Sequence, residues 1–150
     1  MDLQALHNEL VNDPLNLQYS GKTDAQCASA LNAMNQKISR SQMITFRGLY
    51  EANSLGPTMA ASVLAKIRAQ SGQDQIMYDV EKMLYSERGM DIGDAAAQAM
   101  IDAYALGGLF TTAEANALKA IGTCYQSRAA ALGLSEVTEN DVTEARLLGV

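Results

Sequence analysis

Five glycines, at positions 72, 89, 107, 122 and 133, each stand where a run of apolar residues at helical spacing gives out. Glycine is disfavoured inside a helix by about 1 kcal/mol relative to alanine, and it readily ends one. A chain interrupted at such intervals can build short helices but no long ones. The apolar residues between the stops recur at i, i+3, i+4 and i+7, and no five-residue run alternates in the way a half-buried strand requires. Aromatics make up 5% of the chain and Trp is absent. That balance suits packed helices better than a β-sandwich, whose strands favour β-branched and aromatic residues.

The stops and caps divide the chain as follows. Leu3, Leu6, Leu10 and Val11 predict a helix over 2–12, ended by Asp13-Pro14 because the residue before proline avoids the helical region. Thr23-Asp24-Ala25-Gln26 is a capping box, and Cys27, Leu31, Met34 and Ile38 carry its helix to about Lys37. A further helix is expected over 42–53, led by Ile44, Leu49 and Tyr50 and weakened by Gly48. Gly56-Pro57 opens the next, with Met59, Val63, Leu64 and Ile67 on one face up to Gly72. Residues 73–88 place Ile76, Met77, Val80, Met83 and Leu84 on a stripe, with Gly89 as the C-cap. Gly93 or Asp94 starts a helix through Ala105, packing through Ala96, Ala97, Met100, Ile101 and Tyr104. Thr111-Thr112-Ala113-Glu114 is a second capping box, leading a helix to Ile121. Two short helices close the chain, one stopped by Gly133 and one capped by Thr138. A short extended segment has room at 38–41 or 123–127. With 150 residues, 48% of them apolar, the expectation is one all-α domain over residues 1–150, built from eight or nine short helices.

The C-terminal string SRAAALGLSEVTENDV, from Ser127 to Val142, has the outline of a helix-turn-helix. A DNA reader loads the second helix of such a unit with Arg, Lys, Asn or Gln; here the helix carries Glu139, Asp141 and Glu144, with Glu136 just before it. Duplex binding is driven mainly by phosphate neutralisation, which carboxylates oppose. The net charge of −6 also makes nucleic acid and anionic membrane poor default partners. The only close basic pairs are Lys37 with Arg40 and Lys66 with Arg68. Leu132, Leu134, Val137 and Val142 should therefore pack together with Glu139 and Glu144 outward, leaving Arg128 and Arg146 placed to pair with carboxylates. The alternative is a small DNA-binding or regulatory protein using this unit, which salt-dependent DNA binding would reveal.

No stretch supplies catalytic machinery. His7 is the single histidine, and no H-E-x-x-H or E-x-x-H spacing surrounds it. Asp91 and Asp94 flank Gly93, but the closing twelfth position of a calcium loop counted from Asp91 falls on Asp102, inside a predicted helix; helix capping is the reading that fits. There is no nucleophile elbow and no phosphate loop. Cys27 and Cys124 form no C-x-x-C and read as buried thiols of a reducing compartment. No enzyme activity, cofactor or metal is expected. Met1 leads straight into the first amphipathic stretch without a signal peptide, and no apolar run approaches the ~18 residues of a membrane span.

What the sequence holds in surplus is apolar helix surface. Tyr78 and Tyr85, seven residues apart, share a face distinct from the Met77–Val80–Leu84 stripe. A second apolar face is buried on both sides or meets another chain. Leu3, Leu6 and Leu10 lie in a terminal helix that would fray if unpaired. Of the eight methionines, Met77, Met83 and Met100 read as core, while Met43, Met59 and Met90 lie near helix ends, where adaptable side chains can serve a partner. The candidate interaction residues are Leu3, Leu6, Leu10, Tyr78, Tyr85, Arg128 and Arg146. The competing reading is that the Leu and Tyr faces and the methionines near helix ends all complete the core of a monomer.

Two stretches carry a family resemblance. The first holds Asp13-Pro14-Leu15, Tyr19, Thr23-Asp24-Ala25-Gln26 and Ala30-Leu31-Asn32; the second holds Ser127-Arg128-Ala129, Leu132-Gly133-Leu134, Val137, Asp141-Val142 and Ala145-Arg146. In these the chain resembles small proteins encoded in the virion-morphogenesis modules of tailed bacteriophages, while residues 40–108 match nothing specific. The resemblance implies a non-enzymatic structural protein of the virion, made in the host cytoplasm and placed in the neck or head–tail connector. Its implied partners are other virion proteins such as portal, tail or capsid; the surplus apolar helix faces add the expectation of a homo-oligomeric ring, which uses two different patches on each subunit. It carries over no catalytic residue.

Overall fold

Three threonines set the frame. Thr23, Thr111 and Thr138 each accept the N–H three residues on, from Gln26, Glu114 and Asp141, and those side chains reach back to the threonine N–H. Each closed capping box removes two orphan donors and fixes where a helix begins. The computed structural model describes residues 1–149 and runs, in order, α1 (Leu3–Asn12), a 3-10 turn (Tyr19–Gly21), α2 (Asp24–Asn32), β1 (Gln36–Ser39), β2 (Met43–Ile44), α3 (Phe46–Glu51), α4 (Gly56–Ser71), α5 (Gln75–Leu84), β3 (Met90–Asp91), α6 (Ala95–Leu106), α7 (Thr112–Ile121), β4 (Thr123–Gln126), α8 (Arg128–Ala131) and α9 (Glu139–Leu147). The fold is predominantly helical, with nine α-helices among the described residues, but it is mixed rather than purely all-α. β1 pairs with β4, and β2 with β3. No described helix is long and apolar enough to cross a membrane.

The described residues gather into two compact units. One takes residues 1–37 together with 125–149; the other is continuous, Ile38–Cys124. The chain leaves the first within β1 and re-enters it within β4, where neither a proline nor a polar linker marks the change. Each unit has its own apolar core. In the discontinuous unit, Leu6, Leu31, Cys27, Tyr19 and Val142 are almost wholly buried, and α9 packs on both α1 and α2. Leu134, Val137 and Val142 join this core with Leu132 against it, while Glu139 and Glu144 face outward. In the continuous unit, Leu49, Val63, Leu64, Met77, Val80 and Leu118 form the centre, with α4 packed along α5 and α6 against α7.

Several boundaries move, each for a local reason. α2 ends at Asn32 rather than near Lys37, since the Asn32 amide turns to the backbone of Val137, donating to its carbonyl at 2.7 Å and accepting its N–H at 2.9 Å. Met34 is then left exposed and Gln36–Ser39 becomes β1. The helix expected over 42–53 divides, because Thr45 caps α3 through the N–H of Gly48 at 3.2 Å and Met43–Ile44 before it is a strand. α5 ends at Leu84 with Tyr85 as its cap, not at Gly89. Gly89 instead takes a positive φ of 72° against the backbone of β2, where a Cβ would lie 2.2 Å from the Ile44 carbonyl oxygen. That approach leads into the antiparallel register Met43–Asp91 and Ile44–Met90. Asp94, not Gly93, caps α6, accepting the N–H groups of Ala96 and Ala97. Gly93 is needed for closeness: a Cβ there would sit 1.7 Å from the Arg40 carbonyl oxygen, and one on Gly122 would sit 2.5 Å from the Gly93 Cα. The Arg40 N–H donates to the Gly122 carbonyl at 2.8 Å beside this crossing. Both extended segments weighed from sequence, near 38–41 and 123–127, are strands, and they pair with each other.

Candidate functional site

Of the seven candidate interaction residues, five lie in the discontinuous unit and are engaged there. Leu6 and Leu10 are core, and Leu3 is half-buried against the same cluster. The helical spacing that marked them as an open face instead places them under α9, which removes Leu6 and Leu10 from any partner surface. Arg128 forms a bidentate pair with buried Glu9, Nε to Oε1 at 2.8 Å and Nη2 to Oε2 at 2.6 Å. The Tyr19 hydroxyl donates to the same carboxylate at 3.3 Å. Burial, and then the Glu9 charge, push the Tyr19 phenol well above its usual range, so it stays a donor. Arg146 pairs with Asp24 and donates to the carbonyls of Tyr19 at 2.9 Å and Lys22 at 3.1 Å. Both arginines thus close the fold of this unit, and the exposed residues of α9 beside them include Glu139 and Glu144. His7 is held the same way, its Nδ1 2.8 Å from the Ala145 carbonyl oxygen. Cys27 is buried, with its thiol pushed up by desolvation, and Cys124 is half-buried; both are free thiols. Among the described residues, no group of three His, Cys, Asp or Glu is arranged to hold a metal ion.

The open surface belongs to α5, in the continuous unit. Asp74 sets its start, accepting the N–H groups of Ile76 and Met77, while its other oxygen takes the Tyr104 hydroxyl at 2.5 Å. From that start Met77, Val80 and Leu84 turn inward and are buried. At helical rotation, Tyr78 and Tyr85 lie about 80–100° to one side of Met77, and Ile76 and Met83 about 100–120° to the other. The stripe therefore has two apolar flanks. The tyrosine flank is covered in part by its own unit. Tyr85 stacks on Phe46 at 4.7 Å between centroids, Arg68 lies over both rings and donates to the Tyr85 hydroxyl, and Tyr50 meets Phe46 edge-on at 5.4 Å. Tyr78 carries Lys82 over its ring at 5.2 Å. Tyr85 remains half-exposed at the edge of this aromatic cluster, so Tyr78 and Tyr85 have separate surroundings rather than one shared contact.

The opposite flank lies open. Ile76 is 56% exposed and Met83 42%, although sequence spacing had put both in the core stripe. They form one wall of a surface groove of about 440 Å³, whose other wall is Met90 of β3 with Ala96 and Met100 of α6. Three carboxylates line it: Asp79, Asp91 and Asp94. Asp91 is fixed by the Ser41 hydroxyl at 2.5 Å and by the N–H groups of Gln42 and Gly93 at 2.8 and 3.0 Å, which hold its carboxyl below the usual range. No Lys, Arg or His lines the groove. A fully apolar pocket of about 30 Å³ lies inside the same unit, lined in part by Met77, Ile101 and Phe110, and is too small for an organic ligand. The groove was missed because Ile76 sits next to Met77, and Met83 next to Leu84, in an unbroken list of apolar residues. The signal that could have found it is angular, since Ile76 and Met83 fall outside the arc of the other three.

Compared with models of protein families, with curated proteins and with solved structures, the chain matches none.

Proposed function

We propose that the chain is a non-enzymatic structural protein of a tailed-phage particle, a component of the neck or head–tail connector that acts through protein–protein contacts. The observation that carries this reading is the open apolar flank of α5, where Ile76 and Met83 stand exposed on a helix whose inward face already fills a core. A helix with apolar surface beyond its own core serves a contact with another chain. The resemblance of the two chain ends to virion-morphogenesis proteins supplies the setting, with portal, tail or capsid proteins and further copies in a ring as partners. A ring uses two different patches on each subunit, and the Phe46–Tyr50–Tyr85 cluster offers a second exposed apolar region in the continuous unit. Mass spectrometry of purified tailed particles from cells carrying the gene tests the reading. The chain is expected among the stoichiometric virion components, and its absence from particles that assemble while it is expressed would overturn the proposal.

A further inference from the structure

The groove beside α5 has a chemistry that narrows what can fill it. Its apolar lining is mostly unbranched or small, with Met83, Met90, Met100 and Ala96 beside the branched Ile76 and Val80 of α5. Methionine adapts to the shape of an incoming apolar residue, and alanine leaves room for a backbone to approach. The only charges on the lining are the carboxylates of Asp79, Asp91 and Asp94. Asp91 and Asp94 are anchored by main-chain N–H groups, so their positions are set before any partner arrives. A volume of about 440 Å³ falls within the ~300–1,000 Å³ range of organic ligand sites and admits several side chains at once. Apolar anchors in a groove with charges along the rim are the arrangement that takes an amphipathic helix.

We infer that this groove receives a basic amphipathic helix of a second virion protein, with its apolar residues between Ile76/Met83 and Met90/Met100 and its Lys or Arg side chains at Asp79, Asp91 and Asp94. The inference rests on the proposed function in taking the partner to be another protein of the particle. Charge complementarity selects the occupant. A second copy of this chain fits poorly, since its net charge is −6 and six of its eleven Lys and Arg side chains, those of Arg47, Lys66, Arg68, Lys119, Arg128 and Arg146, are already in ion pairs of their own. Among the described residues, no helix carries a row of cations beside an open apolar stripe.

The test uses the full chain and a synthetic leucine–lysine peptide with leucines at i, i+3, i+4 and i+7, titrated by calorimetry near physiological salt. Two controls are the same peptide with glutamate for lysine and a scrambled peptide of identical composition. The basic amphipathic peptide should bind at least about tenfold more tightly than either control. The double substitution Ile76→Ser with Met83→Ser, at exposed positions, should weaken it by about tenfold or more. Asp79→Lys should do the same. Glu136→Lys makes an equal charge change at an exposed residue of the other unit and should move the affinity by less than about twofold. Circular dichroism of each variant verifies folding, and Asp79→Asn provides a milder rim variant that should weaken binding less than Asp79→Lys. Failure of the basic peptide to bind, equal binding of the acidic peptide, or equal weakening by Glu136→Lys would each overturn the inference. So would a wild-type oligomer that Met83→Glu converts to monomer, which would make a second copy the occupant. Peptide failure with the chain present in particles would leave the proposed function standing; peptide success with the chain absent from particles would remove the virion partner but not the groove.

Discussion

Two buried glutamates hold the two units, and each is tied to a cation from a distant stretch of chain. Glu9 has only 3% of its side chain exposed and depends on the Arg128 fork and the Tyr19 hydroxyl. Arg128→Ala leaves that carboxylate buried beside one neutral donor, and the expected loss of stability is about 3–5 kcal/mol, read as a lower urea midpoint at unchanged slope. Arg128→Lys should recover only part of it, because an ammonium cannot reproduce two parallel bonds. Glu114 is the counterpart in the continuous unit. Burial alone raises its carboxyl, but the Lys66 ammonium at 2.6 Å, the Thr111 N–H at 2.8 Å and the Ser62 hydroxyl at 2.8 Å prevail and hold it down to about 2, against an ordinary 4.5. A depressed carboxylate adds stability that is complete above its unfolded value and is lost as the pH falls through its folded one. The melting temperature should therefore drop between about pH 5 and pH 2. Glu114→Gln should be less stable at neutral pH and should flatten that part of the profile; an unchanged profile in the variant would count against the assignment.

The two flanks of α5 predict opposite responses to substitution. Tyr85→Ala removes a ring stacked on Phe46 and lying under Arg68, which should cost about 1–2 kcal/mol. Ile76→Ser changes a side chain already open to solvent and should stay within about 0.5 kcal/mol. Thermal unfolding of the two variants side by side measures the difference. What the sequence made legible follows the same division. Caps act through neighbours three residues away, so Thr23, Thr111 and Thr138 could be read directly, as could Gly56-Pro57. The inward stripe of Met77, Val80 and Leu84 was likewise visible, because three residues in register define a face. β2 was not, since two residues carry no period and Ile44, Leu49 and Tyr50 imitate a helical one. The end of α2 depends on an amide bonded to Val137, more than a hundred positions away, and the arginine over Phe46 and Tyr85 is set by three separate elements. The candidate groove stayed hidden for a related reason: its walls come from α5, β3 and α6, and only their packing shows which apolar residues remain uncovered.

The continuous unit, Ile38–Cys124, contains a complete core of its own. A fragment of these residues should give a helical far-UV spectrum and a cooperative melt. Residues 1–37 alone should give neither, because α1 and α2 lack α9, on which both pack. Gly122→Ala puts a Cβ 2.5 Å from the Gly93 Cα, against backbone that cannot swing aside, and should destabilise this unit by at least about 2 kcal/mol. The Arg40–Gly122 bond at that crossing also bears on order in time. During synthesis α1 and α2 emerge before the middle of the chain and α9 after it, so α1 and α2 must wait for α9 while residues 38–124 are already free to fold. Joining the ends across about ninety unstructured residues would carry an entropic penalty of roughly 4 kcal/mol. Once Arg40 and Gly122 are linked, the two arms start from neighbouring points, and most of that search is over before Glu139 leaves the ribosome.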